Sequence, residues 1–368
     1  MDPKAYWVGF NYVKGIGAVR TRVILDHFQT LEIAWHAPIE SFEKIGLPQK
    51  ILENIQLTRN QLDLEKIWAS LNKKEIQVIT WNDEIYPRRL KEVDQPPPVL
   101  YIRGELKLED EWAVAIVGTR RMTVYGRQVT EDLASFLGSN GVTVVSGLAR
   151  GVDSTAHSAA MKSDGRTLAV LGCGIDQVYP PENRKLSEEI VQHGAILSEY
   201  PLGTPPDANN FPQRNRIISG ISQATVIVEA GETSGALITA TFAAEQGREV
   251  FAVPGNILAP QSKGCNRLIR EGAHPYLKPQ DVLELLNLEQ VQEYKQARLL
   301  MPANEIESKL VQVMENDILP IDEITSRAGF TVDKVSAALT IMELKGMVRQ
   351  VEGTSYMVIR EAYEKYKT

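Results

Sequence analysis

From residue 113 onward the chain repeats one pattern, a short apolar run ending in glycine or a small polar residue and then a stretch of helical periodicity. The runs read AVAIVG, VTVVSG, TLAVLG, AILSE, ATVIVEA and EVFAVPG. Runs that are apolar throughout suit strands covered on both faces, and their alternation with helices predicts an α/β fold with a doubly wound, mostly parallel sheet. The first hundred or so residues read instead as helical, and PPPVLY marks the change of regime ahead of AVAIVG, which sets a boundary near residue 110.

Beyond the sheet pattern, LELLNLEQVQEYKQARLL is polar and helix-prone and reads as a linker. The tail then carries helical periodicity in ESKLVQVMEN, IDEITSRAG and TVDKVSAALTIMELKG, followed by alternating VRQVEGTSYMVIR around Gly353. Three helices and a hairpin predict a winged helix. Near the start, KGIGAVRTRVIL and EKIGLPQKILEN echo one another as an apolar-glycine turn leading into a helix, and only the first keeps both Gly15 and Gly17. Lys14, Arg20 and Arg22 would let such a turn meet a DNA phosphate, while small helical domains of this size serve equally as protein-contact modules.

Composition narrows the class. At 368 residues with 43% hydrophobic and 24% charged side chains, the chain has length for two or three domains and no apolar run approaching the roughly 20 residues of a membrane helix. The first residues, MDPKAYWVGF, lack a secretory pattern, so a cytoplasmic location is expected. Cys173 and Cys265 are far apart and without nearby His pairs, so both read as buried small residues, and neither a metal nor a cofactor is expected. A net charge of −7 argues against a coat of positive potential, so any nucleic-acid site has to be local.

In an open parallel sheet, ligands bind outside the carboxyl ends of the strands, where helix N-termini favour anions. The strand ends here offer VGTRRMTVYG, with Thr119, Arg120 and Arg121; SGLARGVDSTAH, with Ser146, Gly147 and Arg150; and EAGETSGALITA, with Ser234 and Gly235. FPQRNRIISG adds Arg214 and Arg216 if its arginines open a helix whose Ile217, Ile218 and Ile221 face the sheet. Taken alone, Arg214 and Arg216 read as ion-pair partners of Glu199, Glu229 or Glu232. Taken with the other loops they form a set suited to an extended phosphate-bearing ligand. LGCGID lacks the third glycine of a dinucleotide fingerprint, and no GxxxxGK[ST] occurs. His157 suggests acid-base work or, more simply, a helix-opening residue bonded to a neighbouring loop, and Glu229 and Glu232 are the best placed carboxylates for an enzyme.

In order, YPRRL, PPPVLYIRG, VAIVGTR, VVSGLARGVDSTAH, LAVLGCGID, SEYPLG, FPQRNRIISG, SGALITA, AAEQGREVFAVPGN and GCNRLIREGA resemble the DprA (Smf) family of DNA-processing proteins. The resemblance implies an extended Rossmann domain at 81–285 between a helical domain at 1–80, of SAM or helix-hairpin-helix type, and a winged helix at 304–368 reached through a linker at 286–303. It implies a single-stranded DNA binding protein rather than an enzyme, one that protects incoming strands in natural transformation. Such a protein loads a RecA-type recombinase onto strands otherwise covered by single-strand-binding protein, which becomes a further candidate partner. The DNA pocket would comprise Gly118, Thr119, Arg120, Ser146, Gly147, Arg150, Arg214, Asn215, Arg216, Ser234 and Gly235, with Phe211 as a stacking face. A homodimer contact would fall at Leu268 and Ile269, whose apolar pairing is equally compatible with the monomer core. The alternative, a nucleoside-monophosphate phosphoribohydrolase, would need a PGGxGTxxE loop that EAGETSGALITA does not match. Residues 301–368 carry 8 basic and 11 acidic side chains, which disfavours phosphate contact by the winged helix despite Lys334 and Lys345 on its third helix.

Overall fold

The computed structural model describes residues 1–286, 288, 304–314, 317–351 and 353–359. It separates into two compact units, Met1–Leu288 and Glu289–Thr368. Apart from Leu286 and Leu288, the linker expected at 286–303 lies outside the described residues.

The first unit opens with six helices: α1 (Lys4–Tyr12), α2 (Ala18–Phe28), α3 (Leu31–His36), α4 (Glu40–Glu43), α5 (Gln49–Gln61) and α6 (Leu64–Lys73). Thr30 and Asp63 cap α3 and α6 by accepting from the amides of Ile33 and Lys66, a role that suits their short polar side chains. A sheet follows, built from β1 (Gln77–Thr80), β2 (Val99–Gly104), β3 (Ala113–Val117), β4 (Thr143–Ser146), β5 (Thr167–Leu171), β6 (Gly194–Ser198), β7 (Ala224–Ile227), β8 (Glu249–Ala252) and β9 (His274–Pro275). Among them run α7 (Arg88–Lys91), α8 (Val124–Ser139), α9 (Val152–Lys162), α10 (Arg184–His193), α11 (Asn210–Ile221), α12 (Ala236–Glu245) and α13 (Lys263–Arg270), with α14 (Gln280–Leu286) after β9.

The nine strands lie in the order β1-β2-β6-β5-β4-β3-β7-β8-β9. All pairings from β6 to β9 are parallel, and β1 and β2 add an antiparallel edge. Every residue of β3 through β7 is buried, as the unbroken apolar runs predict for strands sandwiched between helices. The chain winds outward from β3 through β4, β5 and β6, then returns on α11 to lay β7 against the other side of β3. The strand order therefore reverses between β3 and β7, which opens a crevice above their carboxyl ends.

The helices before β1 do not stand apart from the sheet. Phe10, Leu100, Ile196 and Ile217 belong to one continuous apolar core, and Trp7 meets Trp81 edge-on at 5.9 Å.

Among the described residues, the second unit holds three helices, Glu305–Met314, Ile321–Ala328 and Val332–Leu344, and a three-stranded sheet of β10 (Leu319–Pro320), β11 (Val348–Gln350) and β12 (Ser355–Val358). Leu310, Ile324, Leu339 and Val348 form its core. This is the winged-helix pattern expected from the tail.

Candidate nucleic-acid interface

A cleft of about 620 Å³ occupies the crevice at the strand reversal. Val117, Gly118 and Arg120 enter it from the end of β3, Phe211, Arg214 and Asn215 from α11, and Ser234 and Gly235 from the start of α12. A narrower annex beside it is lined by Gly147, Arg150 and Tyr179 together with Arg120, Phe211 and Arg214. Seven of the expected residues, Gly118, Arg120, Phe211, Arg214, Asn215, Ser234 and Gly235, thus meet in the cleft, and Gly147 and Arg150 meet them in the annex. Thr119, Ser146 and Arg216 line neither.

The cations differ in what they can do. Arg120 is exposed, forms no ion pair among the described residues, and lies over the Phe211 ring at 5.8 Å. Phe211 in turn packs on Tyr179 with ring centroids 5.4 Å apart. The result is a solvated guanidinium above a tilted aromatic pair, chemistry that suits a phosphate beside a stacked base. Gly172 makes room for this arrangement, since a Cβ there would sit 2.8 Å from the Phe211 ring.

Arg214 forms the floor and retains only 4% exposure. It donates to the carbonyls of Gly147, at 2.9 Å, and Val170, and its Nε bonds the Asn215 amide oxygen at 3.2 Å. Burial pushes its pKa down, and the nearby Asp153 carboxylate works against that. Asp153 accepts from the amides of Gly147 and Ala149 at 3.1 and 3.3 Å, so the loop after β4 is filled by a carboxylate of the protein itself. A side chain at Gly147 would meet the Arg214 guanidinium at 2.6 Å and the Asp153 carboxylate at 2.8 Å. The same loop holds Leu148 in the left-handed region at φ 57°, an uncommon conformation for a bulky residue that marks a locally strained turn.

Several of the expected residues are engaged within the protein itself. Ser146 is fully buried and donates its hydroxyl to the carbonyl of Ile116 at 2.6 Å, so it ties β4 to β3 and has no surface to offer. Thr119 spends its backbone on Glu229 and Val152 and its hydroxyl oxygen on the amide of Arg121. Arg150 is exposed but paired with Glu182. Arg216 turns away from the cleft and makes a bidentate pair with Glu199 at 2.8 and 2.7 Å, the simplest of the roles open to it from sequence. The helix begins at Asn210, so the two arginines fall in its second turn rather than at its start. Ile217, Ile218 and Ile221 are buried against the sheet as expected.

The residues singled out for enzymatic work are also engaged. Glu229 is 3% exposed and accepts from the Thr123 amide at 2.9 Å and from the Thr123 hydroxyl, which orders the start of α8. His157 is buried within α9, not at its opening, with Nδ1 2.7 Å from the Thr167 hydroxyl. Burial, aided by the Arg214 charge, pushes its imidazole down to about 3 and keeps it neutral. Burial also raises both thiols, Cys173 to about 11 and Cys265 to about 12, so neither is a nucleophile at neutral pH. Among the described residues no cluster of His, Cys, Asp or Glu is arranged to hold a metal ion, and no helix is long and apolar enough to cross a membrane.

Tyr179 and Asp153 are the site residues that strand-end reasoning missed. Tyr179 comes from a connection after β5, and its apolar VYP setting carries no anion-binding signal. Asp153 lies within SGLARGVDSTAH, where nothing in the sequence marks it as the group that fills its own loop.

Residues 77–287 match the family model for DNA recombination-mediator protein A, and residues 295–354 match the DprA winged helix domain. The chain belongs to the DprA family. Among DprA relatives, Protein Smf of Synechocystis sp. is 37% identical over 96% of this chain and 98% of that protein. DNA processing protein DprA of Bacillus subtilis is 41% identical over 62% of this chain and 77% of its own. The crystal structure of DprA from Streptococcus pneumoniae superposes with a TM-score of 0.67 at 33% identity, covering 76% of this chain and 97% of that one. DNA processing protein A of Helicobacter pylori, studied for its unique single-stranded DNA binding mode, aligns at a TM-score of 0.52 and 35% identity over 57% of this chain and 95% of that one.

Proposed function

We propose that this chain is a single-stranded DNA binding recombination mediator, which takes a strand into the cleft above β3 and β7 and hands it to a RecA-type recombinase in natural transformation. The observation that carries the reading is the exposed Arg120, without an ion pair among the described residues, set over the Phe211–Tyr179 ring pair in a cleft of about 620 Å³. Base stacking needs a strand whose bases are free, which a duplex does not offer, and it tolerates any sequence. The Helicobacter pylori relative, at 35% identity, binds single-stranded DNA and supports the assignment.

A non-enzymatic role fits the carboxylates and thiols, which are buried or bonded to the protein itself. The chain works as a homodimer in this reading. Ile257 and Leu258, after β8, and Leu277, after the edge strand β9, are 78%, 82% and 74% exposed, large apolar side chains that a partner would cover. Leu268 and Ile269 are half-buried against the core, which leaves part of each side chain for such a contact. Two clefts on one dimer would hold a strand far more tightly than one, and sedimentation velocity of Leu258→Glu against the parent chain tests the contact. For the winged helix we favour a protein-contact role, since Lys345 is already paired with Glu307 at 2.8 Å.

Fluorescence anisotropy with a labelled oligonucleotide tests the cleft. Arg120→Ala is expected to weaken binding and to reduce the salt slope by about 0.7, the value for one lost phosphate contact on a single strand. Phe211→Ala is expected to cost about 1–3 kcal/mol with the slope unchanged, as loss of stacking does. Wild-type affinity in both variants would remove the reading.

A further inference from the structure

The Glu199–Arg216 pair lies outside the cleft yet is among the best sheltered ion pairs in the first unit, with side-chain exposures of 16% and 18%. Both carboxylate oxygens are taken by the guanidinium, at 2.8 and 2.7 Å. Releasing Arg216 to meet a phosphate would leave a sheltered carboxylate without its cation, a costly exchange. The groove that Arg216 lines also holds Glu92, Asp94 and Glu245, which would repel a phosphate.

What the pair does join is structural. Glu199 follows directly on β6, and Arg216 sits on α11 immediately after the cleft residues Arg214 and Asn215. The carbonyl of Glu199 accepts from the Asn11 side chain of α1 at 3.3 Å, and the Asn11 oxygen accepts from the Tyr101 hydroxyl of β2 at 2.9 Å. One residue on, Tyr12 donates to the carbonyl of Leu202 at 3.3 Å, in the connection that continues to Pro206 and Ala208 at the rim of the cleft. On the α12 side, Gln246 donates to the carbonyl of Arg216 at 3.0 Å.

We propose that Glu199 and Arg216 are a positioning pair, anchored by Asn11 of the N-terminal helices, that seats α11 against the end of β6 and so presents Phe211 and Asn215 to DNA. The inference rests on the reading of the cleft as a single-strand site, and it gives the N-terminal helical region a part in DNA binding without contact to DNA.

The sign of one substitution separates this from direct contact. Glu199→Gln keeps the shape and removes the charge. If Arg216 met phosphate, freeing it would tighten binding. A positioning pair predicts weaker binding, by roughly fivefold, with the salt slope of the parent chain. The exchange Glu199→Arg with Arg216→Glu is expected to bring affinity back to within about twofold of wild type, whereas a lost phosphate contact would leave it weak with a lower slope. Asn11→Ala, which removes no charge, is expected to weaken binding in the same direction, with folding of each variant checked by circular dichroism. Tighter or unchanged binding in Glu199→Gln, or failure of the exchange to restore affinity, overturns the proposal. Wild-type protein measured in the same series separates the two ideas, because absence of wild-type binding would remove the cleft reading itself.

Discussion

At the scale of single residues, the sequence FPQRNRIISG holds two arginines with opposite lives. Successive residues on a helix turn by about 100°, so positions two apart point about 200° away from each other and do not share a face. Arg214 is buried under the cleft and Arg216 is paired with Glu199 on the other side. The loops that line the cleft are legible in the sequence, because glycine and arginine near apolar runs are local features. Which cations remain unengaged is not legible there, because that depends on Glu182 and Glu199, which pair with Arg150 and Arg216, and on the burial of Arg214. Arg214→Ala is therefore expected to act on stability, destabilising by about 1–3 kcal/mol as it leaves the buried carbonyls of Gly147 and Val170 without this donor, and urea unfolding measures this. His157 supplies a second prediction. Its folded-state pKa of about 3 lies below the ordinary value, so the unfolded chain binds the extra proton and stability rises with pH in this window. The contribution is complete above about pH 6.5 and is lost by up to about 1.4 kcal/mol per unit as pH falls toward 3. Burial raises Asp153, which opposes this trend in acid. The difference in pH slope between the parent chain and His157→Gln isolates the imidazole, and equal slopes would contradict its neutral burial.

At the scale of elements, the six central strands were legible because each is an apolar run bounded by glycine or small polar residues. β1 and β2 were not read as strands. QVIT is short and begins exposed, and both strands pair antiparallel at the sheet's edge, where tertiary contact rather than periodicity decides the outcome. The N-terminal helices were expected as a separate module, and their sharing of one core with the sheet is invisible to a pattern that repeats locally. In the winged helix, charge counting noted Lys345 as a cation of the third helix but did not show that Glu307, 2% exposed, receives it at 2.8 and 2.9 Å. Removing one side of such a pair costs more than removing both. Lys345→Met is expected to destabilise the second unit by about 3 kcal/mol, and the double variant with Glu307→Leu by less. Thermal unfolding of the four proteins in this cycle measures the coupling, and additive effects would contradict it.

At the scale of the whole molecule, an acidic chain of net charge −7 gathers a small cationic and aromatic surface at the one place where its strand order reverses. The fold accounts for the location, and the family places the chain among DNA recombination mediators. The central claim is that this cleft holds single strands in preference to duplex. Anisotropy of labelled single-stranded and double-stranded oligonucleotides of equal length, titrated with the full chain across a salt series, tests it most directly. The account predicts clear single-strand preference at every salt concentration, with affinity falling as salt rises. Equal affinity for the two forms, or preference for duplex, would contradict it.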